Sequence, residues 1–139
     1  MEDKIKANAE LVRELAREEL GIELEYDEAG VRWLAGYIDR QRDAADEPTK
    51  HMLQSVLGSY LGECICRTYG GRWFDDEEFG WGVQITDKLN AFPMNKVKKH
   101  LHNADGESVW GFFTMIRSLL KMPPRQVPPS PTQEGAERP

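Results

Sequence analysis

An α+β domain, with helices packed around a small antiparallel hairpin or sheet, is predicted by three features of the chain. Apolar residues recur at helical spacing in five stretches, two β-prone segments flank a run of four acids, and all but two of the eight prolines fall after residue 121. The 139 residues have material for one domain, placed at 1–121. A disordered, proline-rich tail with almost no apolar bulk follows at 122–139.

Ile5, Ala9, Val12, Leu15, Ala16 and Leu20 form the apolar stripe of a first helix, which Gly21 stops. Ile22, Leu24 and Tyr26 alternate with Glu23 and Glu25 as a short extended segment, and Asp27 caps a second helix running to about Arg42. That helix buries Val31, Leu34, Ala35 and Ile38, with Trp33 and Tyr37 on its flank. Pro48 opens a third, central helix on which Met52, Leu53, Val56, Leu57, Tyr60, Leu61, Cys64 and Ile65 keep helical period. Glu63 is its only formal charge between His51 and Cys66, so most of its circumference is expected to be buried. Gly58 and Gly62, one turn apart, offer two bare patches where another backbone can approach, and Gly70 and Gly71 end the helix. The segments RWF and FGWGVQI around Asp75, Asp76, Glu77 and Glu78 then read as a hairpin, with Trp73 and Trp81 on one packed face. Pro93 leads into a short basic helix, MNKVKKHLHN, and the chain turns at Asp105 and Gly106. A last helix buries Val109, Phe112, Phe113, Ile116, Leu119 and Leu120.

Eighteen Lys+Arg against twenty-four Asp+Glu give a net charge of -6, which argues against general attraction to nucleic acid or an anionic membrane and favours a neutral or basic partner. The imbalance is local. Residues 1–30 hold ten acids and four bases, 72–87 five acids and one base, and 88–121 six bases and two acids. No stretch reaches the roughly 18 apolar residues of a membrane span, and the charged first residues do not resemble a signal peptide. Cys64 and Cys66 point about 200° apart on a helix and cannot pair. Two thiols without a second cluster fit a reducing cytoplasm and a structural role, and no cofactor or metal is expected.

The GSYLG run places Ser59 second, mid-helix, where its hydroxyl bonds back to the preceding turn; a nucleophile elbow needs Ser in the middle position after a strand. The glycines form no phosphate-binding loop. His51, His100 and His102 lack ligand-spaced companions and read as surface or packing residues, and the 75–78 acids lack the calcium-loop pattern and read as a solvated turn. Glu63 is the sharpest signal, because a carboxylate on an otherwise uncharged helix must be paired, exposed through a gap or shifted in pKa. Arg67, one turn on, is the nearest partner, with Lys96, Lys99 and Arg72 as longer-range alternatives. As an ion-pair anchor, Glu63→Gln is expected to cost about 1–3 kcal/mol.

The runs LGSYLGECICRTYGGRW at 57–73, WGV at 81–83, FPMNKVKKHL at 92–101 and ESVWGFF at 107–113 resemble a family of small bacterial domains of unknown function. Gly58, Gly62, Glu63, Gly71, Trp73, Pro93, Val97 and Lys99 carry the resemblance, which covers about 27–118. It implies a bacterial cytoplasmic α+β domain and brings no catalytic residue. By analogy with other small acidic domains, it also implies an immunity or antitoxin-like role.

The expected function is that of a non-enzymatic protein-binding module whose partner is another protein. Its binding residues would be Glu63, Trp73, Asp75, Asp76, Trp81 and Lys99, with acidic side chains steering and aromatic ones supplying affinity. The alternative is a small ligand-binding domain or enzyme using Glu63 with Lys99 or Arg67 in a pocket between the central helix and the hairpin.

Overall fold

In chain order the elements are α1 (Glu2–Leu20), α2 (Glu28–Ala44), α3 (Glu47–Tyr69), β1 (Arg72–Asp76), β2 (Gly80–Thr86), β3 (Leu89–Ala91), α4 (Pro93–Leu101) and α5 (Val109–Leu119). This computed structural model describes residues 1–103 and 106–121, so Asp105 and the tail at 122–139 lie outside the described residues. The fold is α+β, with a three-stranded antiparallel sheet in the order β1-β2-β3. No described helix is long and apolar enough to cross a membrane.

The helix ends follow side-chain chemistry. Asp27 accepts from the Gly30 N–H (2.9 Å), Asp46 from the Thr49 N–H (2.9 Å) and Ser108 from the Gly111 N–H (3.0 Å), each satisfying a donor that an uncapped first turn leaves free. α3 is the central element, and every residue from Leu57 to Ile65 on it is buried. It packs against all four other helices and against β1 and β2.

The two glycines are where that packing is closest. A Cβ on Gly58 would lie 2.6 Å from Met94 Cα, and one on Gly62 would overlap the Trp73 indole with Pro93 Cγ 3.1 Å away. The missing side chains therefore admit the first turn of α4 and the edge of an indole. Ser59 is buried and donates to the Ser55 carbonyl (2.8 Å), as its mid-helix position dictates.

The hairpin register pairs Trp73 with Val83 and Asp75 with Trp81, so Trp73 and Trp81 share one face. Its three-residue loop is closed by Asp76, whose Oδ2 accepts from the N–H groups of Glu78 (2.9 Å) and Phe79 (2.8 Å). Gly80, at φ +81°, takes the left-handed position that such a loop requires.

Four details depart from the sequence reading. A third strand, β3, pairs with β2 through Gln84↔Asn90 and Val83↔Ala91, a segment too short to show alternation. Leu15, Leu20, Met52 and Leu119 are exposed, because helical spacing marks a stripe without saying how far a neighbour covers it. Cys66 is only partly buried, whereas Cys64 is sealed. His100 is a buried junction. The Val109 N–H donates to its Nδ1 (3.2 Å), which places the ring proton on Nε2, 2.8 Å from Asp39 Oδ1. Its carbonyl accepts from Arg42 Nε (3.0 Å) and Nη2 (2.9 Å), so α2, α4 and α5 meet at one residue.

Candidate functional site

Glu63 and Trp73 meet. The Trp73 indole N–H donates to Glu63 Oε2 at 2.9 Å, and Arg67 Nη2 donates to Oε1 at 3.4 Å. Glu63 is 4% exposed and Trp73 7%, so the carboxylate is engaged on both oxygens in a buried setting. Lys99 is not its partner, because Lys99 Nζ (3.6 Å) and Lys96 Nζ (3.2 Å) converge on Glu107 instead. Those lysines hold the Glu107 carboxyl below the usual range, Lys96 most strongly. Glu63 thus forms a structural bond from helix to strand, where the alternative reading placed it in a pocket.

This geometry also revises the mutational expectation. Gln at position 63 keeps an acceptor for the indole and forfeits only the pair with Arg67, which is 59% exposed, so Glu63→Gln is expected to stay within about 1 kcal/mol of the parent. Glu63→Leu strands the buried indole N–H and is expected to cost about 1–3 kcal/mol. Urea midpoints of the two variants check this, with Trp73→Phe in the Leu background recovering part of the loss.

Of the other expected binding residues, Trp73 is interior, Asp76 is consumed by the hairpin loop and Asp75 is exposed opposite Trp81. Trp81 is partly buried beside Ile5 and Ser55. The exposed aromatic is Phe79, at 65%, on the tip of the loop that Asp76 locks. The sequence signal for it was present but unread: a phenylalanine immediately after four acids, before a turn glycine, has no strand partner to bury it.

Phe79 forms one wall of a groove of about 710 Å³ that runs between β3, α4 and α5. Its ring lies 5.3 Å from that of Phe92, which also meets Phe74 at 6.0 Å. On the far side stand Phe112, with the Lys96 ammonium 4.9 Å from its ring centre, and the exposed Met115 (46%) and Leu119 (54%). Its polar lining is Gln54, Glu78, Asn90, Asn95, Lys96 and Lys98. The lining thus combines aromatic and flexible apolar surface with side-chain amides, a carboxylate and ammonium groups, which suits recognition of a chain segment.

Elsewhere, His100 and the two thiols are committed to structure. Both ring nitrogens of His100 are occupied. Burial pushes the Cys66 thiol up to about 12 and the Cys64 thiol higher, so neither is a thiolate at neutral pH. Among the described residues no group of three or more His, Cys, Asp or Glu is placed to hold a metal ion. No protein-family model, no curated protein and no solved structure matches the chain.

Proposed function

We propose that the chain is a non-enzymatic protein-binding module, acting in a bacterial cytoplasm as an immunity or antitoxin-like factor, and that it binds its partner protein through the groove between β3, α4 and α5. The observation that carries this reading is one groove lined by Phe79, Phe92, Phe112, Met115 and Leu119, of which Phe79 (65%), Leu119 (54%) and Met115 (46%) are exposed. Aromatic and methionine side chains are the types enriched at interface cores, and a locked hairpin presents Phe79 with little ordering left to lose on binding.

The test is capture from the source cells with wild-type protein, with Phe79→Glu and Met115→Glu, and with Leu11→Glu as a control at an exposed leucine away from the groove. All three replace exposed side chains and are expected to hold stability within about 0.5 kcal/mol. The two groove variants should reduce recovery of the stoichiometric partner by about tenfold or more, and Leu11→Glu should not. Equal recovery by wild type and both groove variants refutes the assignment.

A further inference from the structure

We propose that a cavity between α1, α2 and α3 binds a small, neutral, apolar molecule carrying one hydrogen-bond acceptor. This site goes beyond the protein-binding role and is independent of it, for it shares no lining residue with the groove between β3, α4 and α5. The first ground is packing. α1 and α2 each pack on α3, and their backbones scarcely approach one another. Between them lies a cavity of about 300 Å³, lined by Leu15 and Leu20 from α1, Trp33 and Tyr37 from α2, and the buried Leu53 and Leu57 from α3. Leu15 and Leu20 belong to the apolar stripe of α1 yet stay 46% and 51% exposed. At about 30 Å³ for each water-sized group, the space accommodates about ten heavy atoms.

The second ground is an unpaired donor. Among the described residues, Trp33 Nε1 is the only buried side-chain nitrogen or oxygen without a hydrogen-bond partner. Folded proteins leave few such groups, and this one belongs to a residue of the cavity wall, whose ring stacks on Tyr37 with centres 5.2 Å apart. The nitrogen itself is sealed, so an acceptor meets it when the partly exposed indole turns. Such a turn replaces an unpaired buried donor by a bonded one. Charge narrows the ligand further, because Glu19 brings the only formal charge to the lining. A fatty carboxylate would find a like charge and no cation. An alkylammonium would find Glu19 but set a second donor against the indole N–H. A ketone, ester or ether oxygen accepts without carrying charge.

The experiment titrates the full chain, labelled with ¹⁵N, with 2-nonanone, a neutral ketone of about ten heavy atoms. Saturable shifts are expected at about 1 mM or below among residues 12–20, 33–37 and 53–57, and the Trp33 indole N–H should move downfield as it gains an acceptor. Trp33→Phe should weaken the ketone by about fivefold or more and leave propylbenzene, which has no acceptor, within about twofold. Nonanoate and nonylammonium should each bind about tenfold more weakly than the ketone. Val56→Phe should fill the cavity and abolish binding, and Leu15→Trp, at an exposed position of the lining, should do the same if Val56→Phe does not fold. Phe79→Glu should bind the ketone as the parent does, whatever becomes of partner capture. The proposal fails if no saturable shifts arise, which would leave the cavity to water, or if Trp33→Phe weakens both neutral probes alike. It fails if either ion binds as well as the ketone, or if the folded filling variant binds undiminished. It fails equally if nuclear Overhauser effects join residues 122–139 to the lining in the free chain, which would give the cavity to the tail. A dimer that Leu15→Glu abolishes would give it to a second copy and overturns the proposal too.

Discussion

Gly62→Leu is expected to lower stability by about 3 kcal/mol or more, a fall of about 10 °C or more in thermal midpoint for a domain of this size. Even a single added carbon would overlap the Trp73 indole, and Pro93 closes the other side. Relief would require the indole to leave Glu63, so overpacking and a stranded buried donor arrive together. Gly62→Ala should show most of the effect, since the overlap begins at Cβ. Thermal and urea unfolding check both variants, and a Gly62→Leu protein that melts with the parent refutes the close contact.

His100→Ala is the second large effect, about 3 kcal/mol, from loss of a buried ring together with an unsatisfied Val109 N–H where α5 begins. Asp39→Asn separates the ring from the charge, because an amide oxygen still accepts from His100 Nε2. The His100 hydrogen bond is the main cause holding the Asp39 carboxyl below its ordinary 3.8. A carboxyl whose folded pKa is depressed contributes stability that is present above its unfolded value and lost as pH falls through the folded one. Asp39→Asn is therefore expected to cost little near neutrality and to shrink the loss of stability between about pH 5 and pH 2, read as urea midpoints against the parent. An unchanged acid limb would show that the Asp39–His100 bond does not contribute there.

The helices were legible because their signals are local. Apolar spacing, Asp27 as a cap and the glycine pair each act within one or two turns, and Asp27, Gly58 and Gly62 do in the structure what their neighbours in sequence imply. Glu63 was legible as a residue needing a partner, and Arg67 was found on spacing alone. Its stronger partner was not, because Trp73 reaches it only after α3 ends and the chain reverses into β1, a geometry no periodicity encodes. His100 was opaque for the same reason, since Asp39 lies 61 residues away. Lys99, a longer-range option for Glu63, pairs with Glu107, because charge type says nothing of reach. Exposed aromatic surface was expected at the tryptophans, the largest aromatics. Size favours burial when a bare helix face lies opposite, as Gly62 does for Trp73, whereas the smaller Phe79 is held outward by its turn.

The sealed stretch Leu57–Ile65 has a kinetic consequence. Four helices and two strands pack on α3, and its amides bond within a stretch that is buried on every side, so no single neighbour leaving frees the whole stretch. Hydrogen exchange at these positions then requires global opening, and their exchange free energies should converge on the unfolding free energy of the whole domain. Residues of β3, the short strand at the margin of the sheet, should exchange through smaller local openings. The molecule would thus combine a rod that opens only when everything does with a sheet margin that opens piecemeal.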